Sequence, residues 1–198
     1  WFSTPFESSN LPLIFIDTGG EPIPDEPKLD AHMGIIDNGP GAVNHLTDPF
    51  NGYDGMVGIE LRGSSSLSFA KKNFGLETRL ENGDNNNVSL LGMPAENDWV
   101  LHGPYSDKSL MRNFLAFHIT RSTGRYVTRT RWCELFINNS YHGLYVLMEK
   151  IKRDDNRVDI AKLNPGDIVG DELTGGYIFS IDRNDEGPGR GWYSPFTN

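Results

Sequence analysis

A basic segment rich in small residues is the part of the sequence best suited to chemistry. Residues 58–80 have the sequence GIELRGSSSLSFAKKNFGLETRL, in which Arg62 precedes a glycine and three serines, and Lys71 and Lys72 follow. Gly and Ser let the backbone approach a ligand and supply N–H and O–H donors. Such donors beside Arg and Lys favour anionic oxygens, above all those of phosphate. The alternative is a β-hairpin whose polar bend and lysines are only solvated.

The alternating runs on both sides of this segment predict two β-strands that position it. One run ends at Arg62, and the other continues from Phe74 to Leu80. Successive side chains of a strand point to opposite faces, so only one of two adjacent lysines can enter a cleft. Because Lys72 has the parity of Phe74, we expect Lys72 rather than Lys71 to face the cleft.

The composition limits the classes of protein to which this chain can belong. It has 198 residues, a net charge of −9 and a pI near 5.0, with 22 glycines and 12 prolines. The acidic balance argues against general binding of nucleic acid or a membrane surface, so an anion site must be built locally from placed cations. Abundant Gly and Pro favour short strands and turns over a helical bundle. The apolar residues occur in short runs, none of which predicts a membrane-spanning helix.

The sequence offers little for metal or thiol chemistry. Its single cysteine, Cys133, excludes an internal disulfide and a cysteine-based metal site. Cys133 lies in a strand-like run, which favours a buried, inert thiol. His45 and Asp48 lack a third partner at metal-binding spacing, so a surface histidine is the stronger interpretation and the metal ligands stay unknown.

The periodicity predicts an α+β fold: a twisted, mainly antiparallel sheet with one main helix packed on it and long loops. The helix is expected at about 107–121, where Ser106 or Asp107 can accept hydrogen bonds from the first turn. Its apolar residues, from Leu110 to Ile119, form a broad face for packing. Strands are predicted within 11–18, 28–37, 58–62, 74–80, 99–104, 126–137, 141–149 and 175–182.

The chain is expected to form a single domain over 11–182. A lead-in arm at 1–10 precedes this domain, and an irregular tail at 183–198 follows it. The clearest hairpin lies within 126–149, where Asn-Asn-Ser at 138–140 predicts a tight turn.

Several short segments carry a resemblance to a known family, in that family's order, between residues 57 and 182. They are Leu61-Arg62-Gly63-Ser64-Ser65-Ser66, Phe69-Ala70-Lys71-Lys72, Leu91-Gly92-Met93-Pro94, Asp98-Trp99-Val100-Leu101, Tyr105-Ser106-Asp107-Lys108-Ser109-Leu110-Met111-Arg112-Asn113, Tyr141-His142-Gly143-Leu144-Tyr145, Glu149-Lys150-Ile151, Asn156-Arg157-Val158-Asp159-Ile160 and Gly175-Gly176-Tyr177. The chain thereby resembles the CotH family, which is named for a spore-coat protein and described as atypical protein kinases.

The resemblance implies phosphoryl transfer from ATP, with Mg²⁺, to Ser or Thr of a protein substrate. The order of parts is that of a kinase-like small lobe: a phosphate-covering loop, a lysine on a strand, one helix and a strand that enters a hinge. A bacterial protein that is secreted, on the cell surface or in a spore coat would fit the same family.

The resemblance also implies the positions of the nucleotide-binding residues. The phosphates would lie near the serine loop and the lysines, and the adenine would lie beside the hinge at 148–151. The residues expected to bind nucleotide are Arg62, Ser64, Ser65, Ser66, Lys71, Lys72, Arg112, Met148, Glu149 and Lys150.

The sequence departs from the family pattern after its last matching segment. The family's metal-binding and catalytic aspartates are expected in an Asn-x-Asp and a Pro-Trp-Asp segment, and neither follows Gly175-Gly176-Tyr177. We therefore expect no catalytic residue within this chain, a catalytic lobe that follows it, and no kinase activity from these residues alone. The alternative function is an extracellular, non-enzymatic β-rich module that binds a surface protein or a glycan, which would show exposed Trp or Tyr rings side by side.

Overall fold

A computed structural model describes residues 6–179 of the chain. The chain divides into two compact units, Trp1–Asp159 and Ile160–Asn198. Part of the predicted lead-in arm, residues 1–5, and the predicted tail at 183–198 lie outside the described residues. Within the described part of the chain, no helix is both long and apolar enough to cross a membrane.

The first unit is built around a closed β-barrel of seven strands, in the order β2-β3-β5-β6-β7-β9-β8. Two short strands, β1 and β4, pair separately with each other. The strands are β1 Ser8–Ser9, β2 Leu13–Asp17, β3 Leu29–Ile36, β4 Asn44–His45, β5 Tyr53–Arg62, β6 Asn73–Arg79, β7 Asp98–His102, β8 Thr130–Ile137 and β9 Ser140–Glu149.

The barrel closes through a parallel pairing of β2 with β8. This pairing places Leu13 opposite Glu134 and Ile16 opposite Ile137, whereas the other neighbouring barrel strands are antiparallel. Closure removes the unpaired edge that an open sheet would present at β2 and β8. The prediction of an α+β fold that resembles a kinase-like small lobe, with a twisted, mainly antiparallel sheet and one main helix packed on it, is therefore wrong: the unit is a β-barrel.

Alternation along each strand fills the barrel, because inward-facing positions recur at every second residue. The interior side chains include three large ones, Trp99, Tyr145 and Phe74, which are at most 4% exposed. The core also contains Ile14, Ile16, Met33, Ile35, Val57, Ile59, Leu76, Leu101, Cys133, Leu135 and Leu147. Cys133 is a buried free thiol whose pKa burial raises to about 12, as the prediction of an inert cysteine requires.

Strands β8 and β9 form the hairpin that was predicted within residues 126–149. Asn138 and Asn139 join the strands with positive φ angles of 48° and 63°, which Asn tolerates better than most residues. The predicted strand at 175–182 is not found: residues 175–179 form no strand, and the remainder lies outside the described residues.

The helix is shorter than predicted and does not pack as predicted. Helix α1 spans Arg112–Ser122 and buries none of its residues. Asp107 supports its beginning, since its Oδ2 accepts a 2.8 Å hydrogen bond from the backbone N–H of Arg112. Phe114 lies against Trp132, with ring centres 5.7 Å apart. The predicted apolar face is largely solvent-exposed, at Met111, Leu115 and Ile119.

The second unit is described over residues 160–179. It contains one short helix, α2, at Gly170–Leu173. The helix is followed by a turn in which Thr174 Oγ1 donates to the backbone carbonyl of Gly170 at 3.2 Å.

Candidate functional site

A pocket of about 430 Å³ opens where β6 begins, β7 ends and β9 starts its run through the barrel. The sequence places two lysines there, because Lys71 and Lys72 immediately precede β6. The remaining walls come from aromatic rings and one histidine. The lining residues are Ala70, Lys71, Lys72, Phe74, Tyr105, His142 and Tyr145.

Lys71 holds its ammonium group over an aromatic face inside this pocket. Its Nζ lies 4.5 Å from the ring centre of Tyr145 and 3.5 Å from the backbone carbonyl of His142. Burial lowers the pKa of Lys71, while the nearby Glu134 opposes that shift. A partly desolvated cation of this kind is stabilised when an anion enters the pocket, because the anion replaces the hydration that the cation has lost.

Lys72 has a different environment from that of Lys71. Its Nζ donates a 2.5 Å hydrogen bond to the backbone carbonyl of Leu67, in the short 3₁₀ turn Ser65–Ser68. The parity argument for Lys72 rested on both lysines belonging to the strand. That premise does not hold, since β6 begins at Asn73 and both lysines line the pocket.

The serine loop lies beside the pocket as a compact turn. Ser68 Oγ donates to the carbonyl of Ser65 at 2.7 Å, and the N–H of Leu67 donates to the carbonyl of Ser64 at 3.1 Å. Ser64 and Ser65 are exposed, and Ser66 is half-buried. The loop therefore keeps hydroxyl groups at the surface next to the lysines.

Arg62 ends β5 directly opposite Asn73 in the strand register, one residue from Lys72. The Arg62 side chain is exposed. Arg62 is therefore a neighbour of the pocket rather than part of its lining.

His102, the last residue of β7, links the pocket rim to helix α1. Its Nδ1 lies 2.9 Å from Asn73 Oδ1, which also accepts from the N–H of Gly103, and its Nε2 lies 3.1 Å from Asn113 Nδ2. Because the Asn73 oxygen can only accept, Nδ1 carries the proton and Nε2 accepts from Asn113. His102 is thus held as a neutral imidazole.

The electrostatic environment of both histidines is cationic. The pKa of His102 is lowered by burial and then by Arg62 and Lys71, against the opposite influence of Asp107. The pKa of His142 is lowered by burial and by Lys71. An acidic protein therefore maintains a local positive field at this end of the barrel.

Several cations at this end lack an acidic partner among the described residues. Arg62, Lys71, Lys72 and Lys108 have no carboxylate of residues 6–179 within 4 Å, whereas seven of the other eleven lysines and arginines in residues 6–159 are ion-paired. Arg112 differs from this group, because its guanidinium lies 3.5 Å from Asp107 and is 81% exposed. The structure therefore gives Arg112 a surface ion pair outside the pocket lining.

The predicted hinge residues lie elsewhere on β9. Met148 pairs in the strand register with Val100 of β7 and with Thr130 of β8, so its backbone is enclosed on both sides. Four residues separate Glu149 from Tyr145, which is roughly 13 Å along a strand. Lys150 is exposed, with its Nζ 3.5 Å from Asp98. The structure does not bring 148–150 to the pocket.

Glu149 belongs to a buried ionic cluster instead. Its Oε1 accepts from Arg129 at 2.7 Å and from Arg157 at 2.8 Å, and both Glu149 and Arg157 have fully buried side chains. The Arg157 guanidinium lies 4.8 Å from the ring centre of Trp99. Lys152 adds bonds to Glu96 and Asp98 nearby. These ion pairs hold the segment that contains Lys152 and Arg157, which follows β9, against the barrel.

Sequence reasoning missed the aromatic and histidine walls of the pocket. Tyr145 belongs both to the core and to the pocket lining, and neither it nor Tyr105 and His142 were predicted to bind a ligand. The available signal was a His-Gly pair at the pocket, in His142-Gly143, and a second one at its rim, in His102-Gly103. A Cβ on Gly103 would lie 2.9 Å from Lys71 Cγ, and one on Gly143 would lie 3.3 Å from Lys71 Nζ.

Acidic ligands for a metal ion are not assembled in the part of the chain that the structure describes. Among residues 6–179 no group of three or more His, Cys, Asp or Glu side chains could hold a metal ion. The two lysines that line the pocket are groups that favour an anionic ligand.

Fold and site together define a β-barrel domain with a cationic, aromatic-walled pocket at one end. A sequence model of the family described as CotH kinase protein matches residues 59–189, which include every residue lining that pocket. The chain belongs to the CotH family. A search of curated proteins finds no match.

Proposed function

We propose that this barrel binds the phosphates of ATP for a CotH-type protein kinase. Two observations support the proposal: the family match, whose description contains the word kinase, and the cations at the barrel end, which have no ion-pair partner among residues 6–179. In phosphoryl transfer the protein mainly positions the nucleotide and neutralises its charge. A pocket that supplies cations without competing carboxylates suits that task.

The observation that carries the proposal is the state of Lys71. Its ammonium group is partly buried, lies on the Tyr145 ring and has no carboxylate within 4 Å among the described residues. A lysine is a compact point charge that pairs with phosphate oxygens without fixed geometry. Lys71 would bind the phosphates directly, while Lys72 would hold the serine turn in place through Leu67.

The remaining parts of the reaction are proposals for the whole protein. ATP would be bound with Mg²⁺, which bridges phosphate oxygens and neutralises developing charge in kinases. The phosphate would pass to Ser or Thr of a protein substrate, on a bacterial surface, in secreted material or in a spore coat. These described residues would contribute binding and orientation, and no catalytic base is assigned to them.

The experiment is a calorimetric titration of the unaltered chain with Mg²⁺-ATP, followed by single variants. Lys71→Ala is expected to weaken binding at least about tenfold, because it removes a charge-assisted contact of about 1.5–3 kcal/mol. Lys72→Ala should weaken binding less, through loosening of the turn. Lys162→Ala, at an exposed lysine of the second unit, serves as the matched control and should have no effect.

Two results would overturn the proposal. One is the absence of Mg²⁺-ATP binding to the unaltered chain. The other is an equal affinity of the Lys71→Ala and Lys162→Ala variants for the nucleotide.

The alternative of a glycan-binding module has less support. Of the two tryptophans within residues 6–179, Trp99 is fully buried and Trp132 is half-buried. The exposed tyrosines Tyr105, Tyr141 and Tyr177 have phenylalanines as their ring partners, so the ring contacts of the described residues include no pair of exposed Trp or Tyr rings side by side.

A further inference from the structure

We propose that the ring of Tyr105 stacks the nucleobase, so that the entire nucleotide site lies at the end of the barrel. This inference rests on the proposed function. It moves the base from the segment 148–151, where the family resemblance would place it, to a surface that the sequence did not indicate. The argument depends on the exposure of Tyr105, its support by Phe69 and its position in the lysine pocket.

Tyr105 is a supported aromatic surface. Its side chain is 42% exposed, although it lines the pocket. The ring stacks on that of Phe69, with centres 5.0 Å apart and an interplanar angle of 27°. The half-buried Phe69 therefore backs the tyrosine, and a rigid ring loses little conformational entropy when a base stacks on it.

The size and the lining of the pocket suit a nucleotide rather than phosphate alone. The lysines and Tyr105 line the same pocket of about 430 Å³. Small-molecule pockets usually have volumes of about 300–1,000 Å³. Its lining combines two lysines with the rings of Phe74, Tyr105 and Tyr145, so it offers both kinds of group that a base joined to a phosphate chain requires.

Lys108 has a defined part in this arrangement. Its Nζ lies 5.3 Å from the ring centre of Tyr105 and 3.4 Å from the Tyr105 carbonyl oxygen, so it is held near the ring in the absence of a carboxylate partner among the described residues. An exposed cation–π contact is weaker than the stacking of a base on an aromatic ring. A base would therefore displace this ammonium group, which remains close enough to contact a phosphate.

The segment 148–150 offers no comparable surface for a base. Met148 lies between two paired strands, and the carboxylate of Glu149 is bound by two arginines. A base could not form edge hydrogen bonds with the Met148 backbone unless a strand pairing opened.

This mode of binding predicts weak selection among bases. Stacking acts on the face of the base, which every base possesses, whereas discrimination requires hydrogen bonds to its edge. The Tyr105 ring provides stacking, so we expect Mg²⁺-ATP and Mg²⁺-GTP to bind with affinities within about fivefold of each other.

The test compares Mg²⁺-ATP with Mg²⁺-tripolyphosphate, which has the charge without the base. Tyr105→Leu is expected to weaken ATP binding about 5- to 100-fold and to leave tripolyphosphate binding unchanged. Tyr105→Phe keeps the ring and should retain the ATP affinity. Tyr141→Leu, at a 49% exposed tyrosine outside the pocket lining, is the matched control and should affect neither ligand.

Each outcome separates this inference from the proposed function. If tripolyphosphate binds the unaltered chain as tightly as ATP, or if Tyr105→Leu leaves ATP binding unchanged, the base platform is wrong and the phosphate site stands. If Tyr105→Leu weakens the binding of both ligands equally, the platform is also rejected, because Tyr105 would then maintain the shape of the pocket rather than stack the base. If neither ligand binds the unaltered chain, the proposed function fails and the platform fails with it.

Discussion

The hydroxyl group of Tyr145 donates a 3.0 Å hydrogen bond to the backbone carbonyl of Lys72. The same tyrosine, which is 1% exposed, presents its ring to the ammonium group of Lys71. One interior residue of the barrel thus fixes the backbone of one lysine and the side chain of the other. The cationic pocket is therefore part of the packed core rather than an attachment to it.

Substitution of Tyr145 should separate these two effects. Tyr145→Phe removes the hydrogen bond but keeps the ring, and should lower the free energy of unfolding by about 1 kcal/mol. Tyr145→Leu also removes the aromatic face under Lys71 and leaves unfilled core volume, so it should be more destabilising. Urea denaturation measures the stability, and titration with Mg²⁺-ATP measures the site. A Tyr145→Leu variant with unchanged ATP affinity would show that the ring has no part in positioning Lys71.

Gly103 is the position at which the pocket is most sensitive to added volume. A Cβ there would lie 2.9 Å from Lys71 Cγ, 2.9 Å from the Lys72 carbonyl oxygen and 3.0 Å from Tyr145 Cε1. Gly103→Ala should therefore displace both lysines, with an overpacking cost of about 1–3 kcal/mol and weaker binding of Mg²⁺-ATP. Gly166→Ala is the matched control, since nothing lies within 4 Å of its Cβ position. Equal stability and equal affinity of the two variants would contradict this prediction.

The buried pair of Glu149 and Arg157 should determine stability rather than nucleotide binding. Glu149→Ala would leave the fully buried guanidinium of Arg157 without this carboxylate, and the loss of one partner of a buried pair costs about 3–5 kcal/mol. Lys150→Ala removes only a partly exposed ion pair with Asp98 and should cost less than about 1 kcal/mol. Thermal and urea unfolding of both variants measure the difference.

The same variants test whether the segment at 148–150 binds adenine. Under conditions in which each variant remains folded, Mg²⁺-ATP affinity should match that of the unaltered chain. A loss of affinity in Lys150→Ala without loss of stability would return the base to that segment.

The strands could be predicted because alternation is a local property of the sequence. The residues that alternate in β3, β6 and β9 do fill the barrel, and the Asn138-Asn139 turn was visible as a pair of residues that tolerate positive φ. Closure could not be predicted in the same way. Alternation shows that a strand has a buried face, but it does not indicate that β2 pairs with a strand about 120 residues later.

The helix illustrates a second limit of periodicity. An apolar stripe indicates that a helix has an apolar surface, and sequence reasoning assigned that surface to the sheet. In the structure Leu115 and Ile119 are 49% and 57% exposed. The helix contacts the barrel through Phe114, which lies against Trp132, and through Asn113, which lies against His102. The pattern correctly predicted where the helix lies and incorrectly predicted that its apolar face is buried.

The site was predictable to the extent that residue type alone determines it. Lys71 and Lys72, which line the pocket, and Arg62, which lies beside it, were predicted as binding residues because cations beside small residues favour anions. Tyr105 and His142 were not, because they come from β-strand ends and loops that only the closed barrel brings to the same pocket. The ion pair of Glu149 was not predictable either, because its buried partner Arg157 lies eight residues further along the chain and residue type alone does not indicate that the two side chains meet.

Nucleotide binding should take up protons near neutral pH. In the free protein the pKa values of His102 and His142 are lowered, first by burial and then by nearby cations, which include Lys71 for both. The charged groups that act on the pocket also include Arg62, Asp107 and Glu134. An incoming anion favours the protonated imidazole and raises both pKa values, so affinity for Mg²⁺-ATP should increase as the pH falls from about 8 to about 6.

Calorimetry at pH 6.5 in buffers of different ionisation enthalpy measures directly the number of protons taken up on nucleotide binding. His142→Asn should reduce the uptake, whereas His45→Asn, at an exposed histidine outside the pocket lining, should leave it unchanged. Proton release, or an uptake that both variants leave intact, would show that the histidines do not sense the bound anion.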